Sequence, residues 1–208
     1  MSPKNKTQLA RARAERKDQL AVAALASFAR SGFSASTTKR LAQEAGVSEG
    51  LFYHYFPSKQ KLLASIRDRV FTDIRATLAR SAAQAERGRR TEGLVRALLG
   101  TFRTHQQFWR FALFDRSNAI VKATLEPDLT KLSRDVRSRL LDAVEQDGFR
   151  LPEVETELLF ATIEGISERF IRDPANYPFG AVVDHFISTL PRAGKRRGTH
   201  RSKGRPRC

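Results

Sequence analysis

The sequence predicts an all-α fold in three parts: a three-helix N-terminal unit, a larger helical body and a basic tail. Three observations lead there. Apolar residues recur at helical spacing along most of the 208 residues, with few strand signals and no internal repeat. Glycine, proline and hydroxyl residues punctuate that pattern where helices would start and stop. The third observation is charge. Residues 1–61 hold 11 basic and 4 acidic residues, residues 62–191 hold 19 and 18, and residues 192–208 hold 8 and none. The formal charge of +16 therefore sits at the two ends, and the middle has the balance of an ordinary globular domain. Ends of this sign suit a polyanion, and a membrane surface less well.

The first helix is expected from about residue 12 to 31, with Ala21, Ala24, Leu25 and Phe28 as its apolar stripe and Gly32 as its stop. Residues 36–59, STTKRLAQEAGVSEGLFYHYFPSK, read as two short helices around a tight turn. Ser36 or Thr37 caps the first by offering its hydroxyl to orphan N–H groups. Leu41, Ala42, Val47 and Phe52 fall where two crossing helices bury them, and Ala42 is small enough for close approach. Gly46 stands at the sharp turn, where a positive φ costs glycine little. Ser48 caps the second helix. This order spells helix-turn-helix, whose second helix enters a DNA groove.

Pro57 ends that helix, and Ser58 caps a long one running to about Glu86 with Leu62, Leu63, Ile66, Val70, Ile74 and Leu78 inward. Further helices are expected at about 91–108, 109–122, 126–147, 152–172 and 179–190, the third ended by Gly148 and the fourth opened by Pro152. Residues 192–208 carry no periodic apolar positions and are expected to be disordered. The expected division is residues 1–60, 61–191 and 192–208.

Over residues 17 to 65 the chain resembles the DNA-binding domain of the TetR (tetracycline-repressor-like) regulators. The residues that carry the resemblance are Ala24, Phe28 and Gly32-Phe33, then Gly46-Val47-Ser48, Gly50, Phe52-Tyr53 and Phe56, closed by Ser58-Lys59 and Leu62-Leu63. Phe52, where leucine is commoner, and the order His54-Tyr55 depart from the usual pattern. The resemblance implies a DNA-binding regulator, a repressor by default, whose body forms a dimer and encloses an effector.

Candidate DNA contacts follow from position. Ser36, Thr37, Thr38 and Lys39 open the first motif helix, where phosphate contact and capping are compatible. Ser48, Glu49, Gly50 and Leu51 open the recognition helix and are the natural base readers. Glu49 can accept from a cytosine amino group or merely favour the helix dipole, and Leu51 can touch a thymine methyl. Tyr53, His54 and Tyr55 reach toward phosphates, and Lys59 is expected to clamp one.

Phe102, His105, Phe108, Trp109, Phe111 and Phe114 cluster in the body. By the resemblance they contribute to an effector cavity, with plain core packing as the competing account; His105, Arg103 or Arg110 can supply a polar anchor. In the last two helices Leu159, Ile163, Ile166 and Phe170, with Val183, Phe186, Ile187 and Leu190, are either buried within one chain or pack on a second copy. Leu158, Ala161 and Gly165 lie on another stripe, and Gly165 permits close approach. A dimer would present two recognition helices about 34 Å apart to successive major grooves of a pseudo-palindromic operator.

Partners are then a DNA operator, a small-molecule effector and a second copy, with no cofactor, no metal and no membrane. There is no P-loop, G-x-G-x-x-G or H-E-x-x-H pattern, so an enzyme is not expected. The only cysteine, Cys208, rules out a disulfide framework within the chain, and a cytoplasmic protein is expected. A nonspecific architectural DNA-binding protein is the rival, since both ends are basic. In the tail, Lys203-Gly204-Arg205-Pro206-Arg207 resembles an AT-hook core, a solvated basic tail being the alternative.

Overall fold

In the computed structural model, residues 3–84 and 86–191 are described; the tail expectations lie outside them. The described residues form nine α-helices and no strand: α1 (Pro3–Ala35), α2 (Thr38–Glu44), α3 (Glu49–Tyr55), α4 (Lys59–Gln84), α5 (Arg90–Thr104), α6 (Gln106–Phe114), α7 (Ala119–Gln146), α8 (Pro152–Arg172) and α9 (Phe179–Thr189).

The second half of α1 packs with α2, α3 and the start of α4 as a small head. Leu20, Ala24, Phe28, Phe33, Leu41, Ala42, Phe52 and Phe56 are all sealed in its core. Residues 7–19 of α1 are exposed, and near its end Asp18 pairs with Arg69 of α4 at 2.6 Å and the Lys17 ammonium lies 5.3 Å from the centre of the Phe56 ring. Gly32, with φ 80° and ψ 164°, breaks the helical path as expected, although one helical turn continues to Ala35. A side chain there would strain the backbone through φ alone, since the nearest atom to an added Cβ is an Asp115 oxygen at 3.8 Å.

Helix α4 leaves the head capped by Ser58, whose Oγ accepts from Lys61 N at 3.2 Å. It buries Leu62, Leu63, Ile66, Val70, Phe71, Ile74 and Leu78, so both head and body lean on it. The body is a bundle of α4, α5, α7 and α8 with α6 and α9 at its sides. Asp147, almost fully buried, caps α5 from afar by accepting from Arg90 N at 3.2 Å and Thr91 N at 2.8 Å. Head and body share one apolar cluster rather than two. At the join the Phe28 and Phe111 rings lie 5.4 Å apart, and the Phe71 and Phe108 rings 5.8 Å.

Several boundaries differ from expectation: α1 begins at Pro3 rather than near residue 12, and α5 ends at Thr104 rather than near residue 108. Helix α6 stops at Phe114, and α7 begins at Ala119 and runs through Pro127 rather than starting near it. Asn118 sets that start, its Oδ1 accepting from Ile120 N at 3.0 Å and Val121 N at 3.2 Å. The cap fixes where α7 starts, and the burial of Val121 and Leu125 before Pro127 and of Leu132 and Val136 after it holds the helix together across the proline.

Candidate nucleic-acid interface and effector cavity

The turn is built as the residue types dictate. Thr37 caps α2, its Oγ1 accepting from Arg40 N at 3.2 Å. Gly46 takes φ 66°, and the N–H groups of Gly46 and Val47 close onto Gln43 O and Ala42 O. Ser48 caps α3 by accepting from Leu51 N at 3.2 Å. Residues 46–50 also spell G-x-S-x-G, but Ser48 stands between two helices with its Oγ committed to the cap. The strand-to-helix elbow that would expose a nucleophile is missing.

The expected contacts Thr37, Lys39, Ser48, Glu49, Gly50, Tyr53 and His54 are exposed, and Thr38, Leu51 and Tyr55 are half-buried. Thr38 Oγ1 donates to Glu49 Oε1 at 3.1 Å and lies 3.1 Å from Tyr53 Oη. That triad joins the start of α2 to the first and second turns of α3 and holds the Glu49 carboxylate on one side of the recognition helix. A fixed acceptor at this place discriminates better than a free one, because less rotamer freedom is lost on contact.

Ser36 departs from its expected role. It is fully buried, donates to Gly32 O at 2.8 Å and stands 3.3 Å from Ser27 Oγ, so it cannot touch DNA. Lys59 is half-buried and not free as a clamp. Its Nζ donates to Phe33 O at 2.5 Å and Ser36 O at 2.8 Å and sits 4.2 Å from the centre of the Phe33 ring. Burial pushes its pKa down, and the Asp115 carboxylate opposes that shift. Two of its three N–H bonds brace the head. Short-range patterning could not foresee this, since both acceptors lie more than twenty residues upstream.

The same corner of the head is gripped by the body. Asp115 Oδ2 accepts from the Phe33 N–H at 2.7 Å, and Asn118 Nδ2 donates to Ser34 Oγ at 2.8 Å. Gly32 frees that N–H from the helix ladder by breaking the helix just before it. The loop between α6 and α7 thus latches onto the end of α1. Nothing local in the sequence signals the latch, because Asp115 lies 82 residues from Phe33.

Behind the latch is a cavity of about 560 Å³, walled by α4, α5, α6, α7 and α8. Its lining is mostly apolar, including Ile74, Leu98, Phe102, Leu129, Leu132, Phe160 and Ile163. From α6 and the following loop come Trp109, Ala112, Leu113 and Arg116. Of the six expected ligand-site residues only Phe102 and Trp109 line it. Phe108 and Phe111 are fully buried core facing Phe71 and Phe28, and Phe114 is 54% exposed beneath the Arg110 and Arg172 guanidiniums. His105 is half-buried, and burial pushes its pKa down. Helix α6 turns one face to the cavity and another to the head, a division that a run of aromatics does not encode.

Most residues expected at a dimer interface are already covered within one chain. Leu159, Ile163, Ile166, Phe170, Val183 and Ile187 are buried within one chain, the Phe170 and Phe179 rings 4.3 Å apart. Phe186 and Leu190 stay half-buried. The uncovered stripe on α8 is the other one, Val154 and Leu158 at 53% and 60% exposure with Ala161 and Gly165.

Among the described residues no group of His, Cys, Asp or Glu side chains could hold a metal ion, and no helix is long and apolar enough to cross a membrane. Residues 20–66 match the family model for bacterial regulatory proteins of the tetR family. The chain is 31% identical over 179 residues to the nucleoid occlusion factor SlmA of Vibrio campbellii, covering 76% of this chain and 85% of that protein. Against the SlmA of Glaesserella parasuis the match is 40% over 70 residues, 34% of this chain and only 33% of that protein. Among solved structures, the transcriptional regulator FadR from Bacillus subtilis in complex with stearoyl-CoA superposes with a TM-score of 0.64. That match has 16% identity and covers 82% of this chain and 95% of that one, so it speaks to the fold alone.

Proposed function

The chain belongs to the TetR family of DNA-binding transcriptional regulators, and we propose that it is an effector-released repressor acting as a homodimer on a pseudo-palindromic operator. The observation that carries this reading is α6, which walls the cavity on one side and grips the head on the other. In the unliganded state the Asp115 latch and α4 set the spacing of the two heads for adjacent major grooves. Thr38, Glu49, Leu51 and Tyr53 face the groove, with Lys39, Ser48 and His54 reaching the backbone. An effector that displaces Trp109, Leu113 or Arg116 moves the loop carrying Asp115 and favours another head position. Coupling of about 1–3 kcal/mol would weaken operator binding roughly 5- to 150-fold. The stripe Val154, Leu158, Ala161 and Gly165 on α8, flanked by Phe186 and Leu190 of α9, is the surface on which the two copies meet. Such a protein works where the chromosome is, in the cytoplasm.

The test is selection of binding sites from random duplexes with the full chain, followed by operator titration with candidate effectors. A two-fold motif and loss of affinity with a cavity ligand are expected. Equal operator affinity with every compound that binds the cavity would sink the release mechanism.

The second reading is a nucleoid-binding protein, which the SlmA likeness over 85% of the Vibrio campbellii protein favours. Affinity at fixed salt separates the two. A regulator prefers its operator by orders of magnitude, whereas a general DNA coat binds unrelated duplexes alike.

A further inference from the structure

The cavity wall holds polar atoms without partners. Trp109 Nε1 on α6 and Ser167 Oγ on α8 are both shielded from solvent and hydrogen-bonded to nothing, and Ser167 is only 3% exposed. Leaving such groups unpaired is costly, and an indole N–H can only donate. A ligand oxygen with lone pairs would satisfy it.

The charges lie differently. The charged side chains of the lining are Arg116, Glu164 and Glu168, all exposed. Glu168 is already held by Arg172, at 2.7 Å and 3.1 Å. The lining thus carries one guanidinium against two carboxylates, and there is no surplus of positive charge to hold an anion at the mouth. Deeper in, no cation lines the wall, so an anionic head seated near Trp109 would be a buried charge without a partner.

We infer that the effector is a neutral, mainly apolar molecule carrying one hydrogen-bond-accepting oxygen, a ketone, ester or hydroxyl, rather than a fatty-acid anion or an acyl-CoA. The volume of about 560 Å³ suits a drug-sized body. The oxygen docks against Trp109 and Ser167, and the hydrocarbon lies along Leu98, Leu129, Leu132 and Phe160. This rests on the reading of the cavity as the effector site and narrows it to one ligand chemistry.

Trp109 is the only tryptophan of the chain, so its fluorescence reports occupancy without a label. Three probes sharing a twelve-carbon chain separate the possibilities: 2-dodecanone, dodecanoate and dodecanoyl-CoA. The ketone is expected to bind at least about tenfold more tightly than either anion. Ser167→Ala should weaken the ketone about two- to tenfold, the worth of one hydrogen bond, and leave dodecanoate unchanged. The inference is overturned if dodecanoate or dodecanoyl-CoA binds as well as the ketone, or if none of the three moves Trp109 emission. Operator release is a separate readout. A ketone that binds at Trp109 without releasing DNA would sink the effector role of the cavity and leave the ligand chemistry standing.

Discussion

Replacing Asp115 by alanine should loosen the head and disconnect it from the cavity. The Phe33 side chain is buried and its N–H bond to the Asp115 carboxylate is 2.7 Å long. Hydrogen bonds to a charged acceptor are worth roughly 1.5–3 kcal/mol, and the half-exposure of Asp115 places this one near the lower end. The Lys59 ammonium also loses the carboxylate that offsets its burial. Asp115→Ala is therefore expected to cost about 2 kcal/mol, a fall of about 4–8 °C in Tm for a chain of this size. Asp115→Asn keeps an acceptor of about half the strength and should cost about 1 kcal/mol. Function is read through reciprocity: if the cavity biases the head, DNA on the head must perturb the cavity by the same free energy. Operator DNA should shift Trp109 emission in the parent protein, and much less in Asp115→Ala at saturating DNA. An equal shift in both proteins would show that the latch does not carry the coupling, and no shift in either would remove the coupling altogether.

Lys59→Met should lower stability by about 1–3 kcal/mol by leaving two backbone carbonyls without their donor, measured by chemical unfolding. Its salt dependence of DNA binding should stay close to that of the parent, because the ammonium serves the head; a slope reduced by one full charge would restore the phosphate clamp. Glu49→Ala or Leu51→Ala should change the selected bases, and Thr38→Val should broaden the preference by releasing Glu49; an unaltered motif in all three would remove these residues from base reading. A Cβ added at exposed Gly165 meets no atom within 4 Å in one chain, and Gly165→Leu improves helix propensity by up to about 1 kcal/mol, so the monomer should fold while sedimentation shows loss of the dimer; an intact dimer would move the interface off α8. His105 is harder to protonate in the fold than its ordinary value of 6.5, chiefly through burial, with Asp73 opposing and Arg69 assisting. The unfolded chain then takes the proton first as pH falls through 6.5, stability drops from there downward, and His105→Gln should flatten that acid limb in melts between about pH 7 and 5.

The helix-turn-helix was legible because its signals are local: a cap, a small residue at the crossing, a glycine at the turn and a second cap lie within a dozen residues. The faces of the body helices were not. Helix α8 is apolar on two sides, and which one is covered depends on where α5, α7 and α9 lie. The expected interface therefore fell on Leu159 and Ile163, and the open stripe is that of Leu158 and Gly165. In the aromatic cluster each ring has a helical neighbour three or four positions away, so spacing alone cannot send Phe111 to the head and Trp109 to the cavity. Lys59 and Asp115 take their roles from acceptors and donors far along the chain.

The head is joined to the body covalently through α4, by directional polar bonds where Asp115 and Asn118 hold the end of α1, and by apolar packing such as Phe28 on Phe111. Apolar packing is non-directional, so the two directional joints leave the head one easy rotation, about the line through them. Motion of the recognition helix is thus confined to an arc, and a shift of one anchor tilts the axis itself. In a two-fold assembly the rotation axis repeats the same arc in the second copy, so a displacement toward or away from the axis at each latch counts twice in the distance between recognition helices.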